Sequence, residues 1–173
     1  MTSTTAARSI FLVGPMGSGK SAVGRRLAHD IGAEFLDSDA VIEARTGVEI
    51  SFIFEKEGEP GFRRRERQVI DEMTERSGIV LATGGGSVLA AENREHLAKR
   101  GRVVYLHATV AQQLERTSHN KERPLLSSGD PERTLGDLME ARDPLYREIA
   151  SVVIDTDGMR VRDVVKKILE MLE

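Results

Sequence analysis

The sequence contains no cysteine and no tryptophan, and aromatic residues make up only 4% of its 173 residues. Without cysteine, the chain can form neither disulfide bonds nor a metal site built from thiolates. This composition is consistent with a reducing compartment. Because aromatic side chains are so few, we do not expect a surface on which the bases of a single-stranded nucleic acid stack.

Long apolar runs and an excess of positive charge are also absent. The longest apolar runs contain only a few residues, far fewer than the roughly 20 that a membrane helix needs. The polar segment 1–9 lacks the apolar core of a signal peptide. A formal net charge of −3 does not favour nucleic acid as a partner. We therefore expect a cytoplasmic protein with no membrane or nucleic-acid partner, and we predict that it is a monomer.

Short apolar runs alternate along the chain with longer amphipathic stretches. The runs are bounded by Gly, Asp or Ser and predict strands at Ile10–Val13, Glu34–Leu36, Ile79–Ala82, Val103–Leu106 and Val152–Ile154. The predicted helical stretches are Lys20–Ile31, the region Ala40–Arg76, Ala91–Lys99, Val110–Ser118, Pro131–Ile149 and Val161–Leu172. This alternation predicts one α/β domain, 1–173, with a parallel sheet between two layers of helices. In such a sheet the site lies beyond the carboxyl ends of the strands.

The segment between the first predicted strand and the first predicted helix has the pattern G-x-x-x-x-G-K-[ST], which is typical of a phosphate-binding loop. Glycines let backbone N–H groups surround a polyphosphate, and the N-terminus of the following helix adds its positive dipole end. Lys20 would contact the β- and γ-phosphates, and Ser21 would place its hydroxyl on Mg²⁺. The predicted residues that bind the nucleoside triphosphate are Gly14, Pro15, Met16, Gly17, Ser18, Gly19, Lys20, Ser21 and Ala22.

Two carboxylates follow the second predicted strand, at Asp37 and Asp39. Side chains at i and i+2 beyond a strand end point the same way. One can hold a water on Mg²⁺ while the other faces a substrate hydroxyl. A helix N-cap is the alternative, since Ser38 and Asp39 begin the next predicted helix. The two roles are compatible, and both remain open.

Three successive glycines, Gly84, Gly85 and Gly86, follow the third predicted strand. Such a run predicts either a close approach to the backbone or positive φ angles. A substrate resting on bare N–H groups would explain the glycines. A tight turn before Ser87 is the alternative.

Two stretches rich in polar and turn residues, Ile50–Glu66 and His119–Asp130, read as lying outside the core. We interpret the first as a substrate-side insertion and the second as a lid, since lids keep water from a γ-phosphate. Solvated surface loops are the alternative. Several arginines occur in or near these stretches, and a small anionic substrate would need two or more of them. For any single arginine, a solvated surface position is the alternative.

In combination, these motifs resemble the shikimate kinase family over almost the whole chain. The matching pieces are Gly14–Ser21, the triplet Asp37-Ser38-Asp39, Gly58-Glu59 with Phe62-Arg63 and Glu66, Gly84–Gly86, Arg123-Pro124-Leu125-Leu126, and Arg142 with Tyr146. The resemblance implies a kinase that moves the γ-phosphate of ATP to the 3-hydroxyl of shikimate, with Mg²⁺ as cofactor. It also implies a three-layer P-loop fold with a five-stranded parallel sheet, a substrate-binding insertion at about 40–67 and a lid at about 118–130.

The resemblance also implies roles for individual residues. On the substrate side, Asp39 would hold the substrate hydroxyls and take the proton, while Arg63 and Arg142 would grip the carboxylate. The other substrate-binding residues that it implies are Gly84, Gly85, Gly86, Phe54 and Phe62.

On the nucleotide side, the resemblance implies that Lys20 and Arg123 act in catalysis, Arg123 as the lid arginine that meets the transferring phosphoryl group. Arg116 would stack on the adenine, and Asp37 would hold Mg²⁺ through a water beside Ser21. Ala22 departs from the family, which usually has threonine there. We expect this to soften a nucleotide contact without abolishing binding.

Two other functions fit parts of the pattern. Gluconate kinases also combine a phosphate loop with an Asp-x-Asp triplet, but they typically continue with Leu-His-Pro, whereas Ala40-Val41-Ile42 follows here. A nucleotide-dependent switch of the GTPase type would need Asn-Lys-x-Asp. The nearest match, Asn120-Lys121-Glu122-Arg123, ends in the wrong charge.

Overall fold

Five parallel strands form one sheet, in the order β2-β3-β1-β4-β5. The strands of the computed structural model, which describes residues 8–118 and 129–173, are β1 Ile10–Val13, β2 Glu34–Asp37, β3 Ile79–Ala82, β4 Arg102–His107 and β5 Val152–Asp155. All five predicted strands are confirmed; β2 and β5 each extend one residue further at the carboxyl end, and β4 extends one residue further at both ends. Because β1 pairs with both β3 and β4, the segment that follows β1 lies at the middle of the sheet's carboxyl edge.

Seven α-helices and one short 3₁₀ turn surround the sheet in the described part of the chain. They are α1 Lys20–Ile31, α2 Ser38–Thr46, α3 Ile50–Thr74, the 3₁₀ turn Ser87–Leu89, α4 Ala91–Arg100, α5 Val110–Thr117, α6 Pro131–Ile149 and α7 Val161–Leu172. The predicted helical region Ala40–Arg76 is thus two helices. Gly47 ends α2 at φ 72°, and Gly58 bends α3 at φ 70° and ψ 178°, because glycine adopts such backbone angles without a Cβ clash.

Helices cover both faces of the sheet, as the three-layer prediction requires. On one face, Leu12 packs with Leu27 of α1 and Val164 of α7. On the other face, Phe11 packs with Ile70 of α3 and Tyr146 of α6. Side chains alternate between the two faces of a sheet along each strand. Because helices cover both faces here, all four residues of β1 are apolar and buried.

The stretch Ile50–Glu66 has a small apolar cluster of its own. Ile53 and Phe62 are 3% and 4% exposed and pack with Ile42 of α2 and Val69. The prediction that this stretch lies outside the core was therefore wrong for its apolar residues. The helical repeat buries them against α2 and leaves the polar ones outside.

Residues 119–128 lie outside the described ranges, so the predicted lid and Arg123 are not placed. Within residues 8–118 and 129–173, no helix combines the length and the apolar character needed to cross a membrane.

Candidate functional site

The predicted phosphate loop, Gly14–Ser21, joins the end of β1 to the start of α1. Gly17 and Gly19 adopt φ angles of 78° and 91°, which L-residues with a Cβ rarely adopt. No side chain caps the first turn of α1, so its free N–H groups and the positive end of the helix dipole face the loop. This is the backbone arrangement that binds phosphate.

Lys20 folds back across this loop. Its Nζ donates hydrogen bonds to the carbonyl oxygens of Gly14, at 2.7 Å, and Pro15, at 2.8 Å. The cation is therefore held at the mouth of the loop, beside a cavity of about 320 Å³ that Ala22 and Arg116 also line. Arg116 Nη1 donates to the Gly17 carbonyl at 2.9 Å, which fixes this arginine against the loop.

Asp37 contacts both the phosphate loop and the start of α2. Its Oδ2 accepts a hydrogen bond from the Ser21 hydroxyl at 2.8 Å. Its Oδ1 accepts from the N–H groups of Asp39, at 2.9 Å, and Ala40, at 3.2 Å. Asp37 is thus the N-cap of α2, so the N-cap alternative applies to this carboxylate. A hydroxyl and a carboxylate beside a phosphate loop are oxygen ligands of the kind that Mg²⁺ takes together with water and substrate phosphates.

Glu66 is buried and Asp39 is partly buried, and each carboxylate has one oxygen that is shielded from solvent. Asp39 Oδ1 and Glu66 Oε2 have no hydrogen-bond partner among the described residues. Burial, together with the charge of Asp37, raises the pKa of Asp39 to about 6, against the opposing charge of Lys20. Burial also raises the pKa of Glu66 to about 7, although Arg63 opposes the shift. A buried acceptor with a pKa near neutrality is suited to take a proton.

Two arginines lie in the wall of a cavity of about 410 Å³. Arg63 donates to Glu66 Oε1 at 2.9 Å and to Glu59 Oε1 at 3.2 Å. Arg142 is 5% exposed and forms no ion pair with any residue in the ranges described. Its positive charge acts on Glu66 only at longer range, where it opposes the rise in the pKa of that carboxyl. Because a buried cation without a paired anion is costly, Arg142 is suited to bind an anionic ligand.

The other arginines next to Arg63 are not part of this cavity. Arg65 is exposed and pairs with Glu57 at 2.8 Å, and Arg67 approaches Glu92 only to 3.9 Å. Arg65 and Arg67 therefore fit the alternative of a solvated surface position, whereas Arg63 faces the cavity.

The glycines of the segment Gly84–Gly86, called the glycine loop below, have no positive φ angles. Gly84 and Gly86 are required by close approach instead. A Cβ on Gly84 would lie 2.9 Å from Glu66 Oε2 and 3.0 Å from Asp39 Oδ1, and a Cβ on Gly86 would overlap the Arg63 guanidinium. The tight turn is also present, since the Ser87 N–H donates to the Gly84 carbonyl at 3.0 Å.

Phe54 and Phe62 both line the cavity of the two arginines. Their ring centroids are 4.8 Å apart with a 34° tilt, and the Arg63 guanidinium lies 5.2 Å from the Phe62 centroid. The two rings therefore pack beside the Arg63 guanidinium, and all three side chains belong to α3.

The two cavities meet. Both the phosphate-loop cavity and the arginine cavity are lined by Met16, Asp37, Asp39, Gly84 and Gly85. Asp39 consequently lies where a ligand held by the arginines would face a nucleotide held by the loop.

Three contributors to this site had no assigned role in the sequence. Glu66 holds Arg63, the Ser38 hydroxyl accepts from the Gly84 N–H at 3.1 Å, and the Tyr146 hydroxyl donates to the Gly85 carbonyl at 2.5 Å. The spacing of Arg63 and Glu66 is a usable signal, because residues three apart are neighbours on a helix. The Tyr146 contact spans 61 residues and has no such signal.

Replacing Gly86 with alanine should raise the concentration of anionic ligand needed for half-saturation by roughly ten-fold or more, because losing a hydrogen bond to a charged group costs about 1.5–3 kcal/mol. The added methyl group would overlap the Arg63 guanidinium. As the end of a flexible side chain, that group can move aside, so the fold should survive. Ligand titration and a thermal melt measure the two effects.

Gly136→Ala is the matched control for Gly86→Ala. An added Cβ there has no neighbour within 4 Å, and the position lies inside α6. This variant should be more stable by about 0.5–1 kcal/mol with unchanged ligand binding. Equal ligand affinity in Gly86→Ala and Gly136→Ala would show that the position of the Arg63 guanidinium does not depend on the absence of a side chain at residue 86.

Comparisons with known proteins agree on one family. The family model for shikimate kinase matches residues 16–173. A shikimate kinase from Halorhodospira halophila is 60% identical over 164 residues, which cover 95% of this chain and 93% of the relative. The structure of shikimate kinase from Acinetobacter baumannii in complex with shikimate has a TM-score of 0.94 at 54% identity, covering 96% of this chain and 93% of the other.

A gluconokinase from Sinorhizobium meliloti is also similar in structure. Its TM-score is 0.64 at 23% identity, over 96% of this chain and 92% of the other. At that identity the similarity concerns the fold alone, and it does not favour the gluconate alternative.

Proposed function

The chain belongs to the shikimate kinase family, and from this premise we propose how its residues transfer the γ-phosphate of ATP to the 3-hydroxyl of shikimate. The single observation that carries the proposal is that the phosphate-loop cavity and the arginine cavity share Asp39. A carboxylated polyol in one cavity and a nucleoside triphosphate in the other would meet at that carboxylate.

Arg142 and Arg63 bind the carboxylate of shikimate in this proposal. Arg142 is buried without an ion-pair partner in the described ranges, and Arg63 is oriented by Glu66. Two planar guanidinium groups can hold a carboxylate in one orientation. The ring then extends along Phe54, Phe62 and the glycine loop toward Asp39.

Asp39 accepts the proton of the 3-hydroxyl as the oxygen attacks the γ-phosphorus of ATP. The new O–P bond forms as the bond to the β,γ-bridging oxygen breaks, and ADP leaves with that oxygen. Such a transfer depends mainly on in-line positioning and on neutralising charge. Lys20 and the N–H groups of the phosphate loop supply positive charge to the β- and γ-phosphates. Arg116, which lines the same cavity, is the proposed contact of the base.

Ser21 and Asp37 fit the predicted Mg²⁺ site, Ser21 through its hydroxyl and Asp37 through a bound water. When bound, the ion would offset negative charge on the phosphates. Arg123, the lid at about 118–130 and the insertion at about 40–67 stay predictions, as do the monomeric state and the cytoplasmic location.

The activity is tested by measuring ADP release with ATP and Mg²⁺ against shikimate, gluconate, nucleoside monophosphates and no acceptor. Stimulation by shikimate alone is the expected result. Stimulation by gluconate would favour the other small-molecule kinase, and hydrolysis without any acceptor preference would favour a nucleotide-dependent switch.

We expect kcat/KM for shikimate to fall as the pH is lowered through about 6, because the raised pKa of Asp39 is about 6 and a protonated carboxyl cannot accept the hydroxyl proton. The kcat/KM profile reports groups of the free enzyme. A profile that stays flat between pH 5 and pH 8, in a stability-controlled assay, would contradict the proton-acceptor role.

The Asp39 carboxyl also makes the stability of the fold depend on pH, and in the direction opposite to its effect on activity. The folded chain holds its proton more tightly than the unfolded chain, whose pKa is near 3.8. Its contribution to stability is therefore full below that value and is lost as the pH rises through about 6. The melting temperature of Asp39→Asn relative to the unsubstituted protein should consequently increase with pH across this window.

A further inference from the structure

Tyr146 is a buried residue of α6 that contacts the glycine loop. It lies one helical turn after Arg142, so the two side chains share a face of the helix. Its ring is 0% exposed and packs against Tyr105 of β4 at a centroid distance of 4.9 Å. Its hydroxyl donates to the Gly85 carbonyl at 2.5 Å. The tyrosine therefore connects the helix of the buried arginine to the loop beside Asp39.

Besides the turn bonds to Ser87 and Leu89, two side chains hold the backbone of the glycine loop. The Gly84 N–H donates to the Ser38 hydroxyl at 3.1 Å, and the Gly85 carbonyl accepts from Tyr146. The N–H groups of Gly85 and Gly86 have no acceptor among the described residues, and both residues line the arginine cavity. These two donors are therefore left for a ligand.

Holding the Gly85 carbonyl also orients a neighbouring donor. The Gly85 carbonyl and the Gly86 N–H belong to one planar trans peptide, in which they point in opposite directions. Once Tyr146 fixes the carbonyl toward α6, the Gly86 N–H must point away from α6. Without that bond, the peptide could rotate, because glycine restrains its own backbone angles least.

The surroundings keep the Tyr146 hydroxyl a donor. Burial raises the pKa of Tyr146 well above its usual range, with Arg142 and Arg63 opposing the shift. The hydroxyl thus stays protonated. Arg142 is close by, since a Cβ on Gly85 would lie 3.6 Å from its Nη1.

We propose that Tyr146 is a positioning residue for the substrate: its hydroxyl locks the Gly85–Gly86 peptide so that the N–H of Gly86 is presented to the ligand in the arginine cavity, beside Arg63. This inference rests on the proposed function. It adds a residue that does not touch the substrate but sets the direction of a group that does.

The test is Tyr146→Phe, which removes one oxygen and keeps the ring. Loss of a single hydrogen bond is worth about 0.5–1.5 kcal/mol, so the KM for shikimate should rise roughly three- to ten-fold. The KM for ATP should stay within about two-fold, because the phosphate loop has its own bonds to Lys20.

Tyr105→Phe is the matched control. The Tyr105 hydroxyl donates to Asp143 at 2.6 Å, away from the glycine loop, and its ring is as buried as that of Tyr146. This variant loses a comparable bond and should show a lower melting temperature with an unchanged KM. A merely structural role for Tyr146 predicts the same behaviour in both variants.

Three outcomes decide the inference. A rise in the KM for shikimate in Tyr146→Phe alone supports it. Equal KM values in the unsubstituted protein and Tyr146→Phe, with shikimate-dependent activity in both, overturn it while leaving the proposed function intact. If the unsubstituted protein shows no shikimate-dependent activity, the proposed function itself is wrong, and the inference falls with it.

Discussion

Replacing Asp39 with asparagine should lower kcat by roughly 10²- to 10⁴-fold, which is the usual contribution of a positioned general base. Asparagine has nearly the same shape but cannot accept the hydroxyl proton. Asp39 Oδ1 has no hydrogen-bond partner in the described part of the chain, so no existing bond to that oxygen is lost. The affinity for ATP, measured by titration of the nucleotide, should change little because the phosphate loop is untouched.

Two comparisons make the Asp39 result specific. Asp30→Asn neutralises an exposed carboxylate of α1 that pairs with Arg26 and should leave kcat unchanged. Asp37→Asn should instead raise the Mg²⁺ concentration required for activity, because Asp37 bonds to Ser21. A large loss of ATP affinity with normal kcat in Asp39→Asn would make Asp39 a nucleotide-site residue and would remove it as the proton acceptor.

Arg142→Ala should raise the KM for shikimate on the order of 10²-fold, since truncating one partner of a buried, hydrogen-bonded charge pair typically costs about 2–5 kcal/mol. Arg142 is 5% exposed and lines the arginine cavity. In the proposed binding mode Arg142 contacts the end of the substrate remote from the reacting oxygen, so kcat should fall much less than the affinity. Initial rates across a range of shikimate concentrations separate the two constants.

Arg142→Lys distinguishes the charge of this arginine from its shape. Lysine keeps the charge but loses the planar fork that matches a carboxylate, so its KM should lie between those of the alanine variant and the unsubstituted protein. Arg162→Ala removes an exposed arginine of α7 and should change neither constant. An unchanged KM in Arg142→Ala would exclude this residue from the carboxylate site and would leave its burial without a functional reason.

The elements of the fold were predictable because each depends on neighbouring residues. The apolar run Ile10–Val13 and the motif Gly14–Ser21 carry their own signals, and the structure contains the strand and the loop at those positions. The break inside the region Ala40–Arg76 was missed. Gly47 and Gly58 mark it, but a glycine inside a helical pattern is tolerated often enough that it does not predict a break.

The sequence by itself determined the strand and helix order, the phosphate loop and the residue types available for chemistry, because hydrophobic periodicity and short motifs act over a few residues. Only the tertiary structure decided which arginines turn inward. Arg63 and Arg65 are two positions apart, yet one faces Glu66 in the cavity and the other pairs with Glu57 at the surface. The reason for the glycine loop was likewise visible only in the tertiary structure. Asp39, Glu66 and Arg63, which belong to other segments, lie so close to the loop that a Cβ on Gly84 or Gly86 would overlap them. Burial and contact between distant segments are set by how the helices pack on the sheet, and no local pattern records that packing.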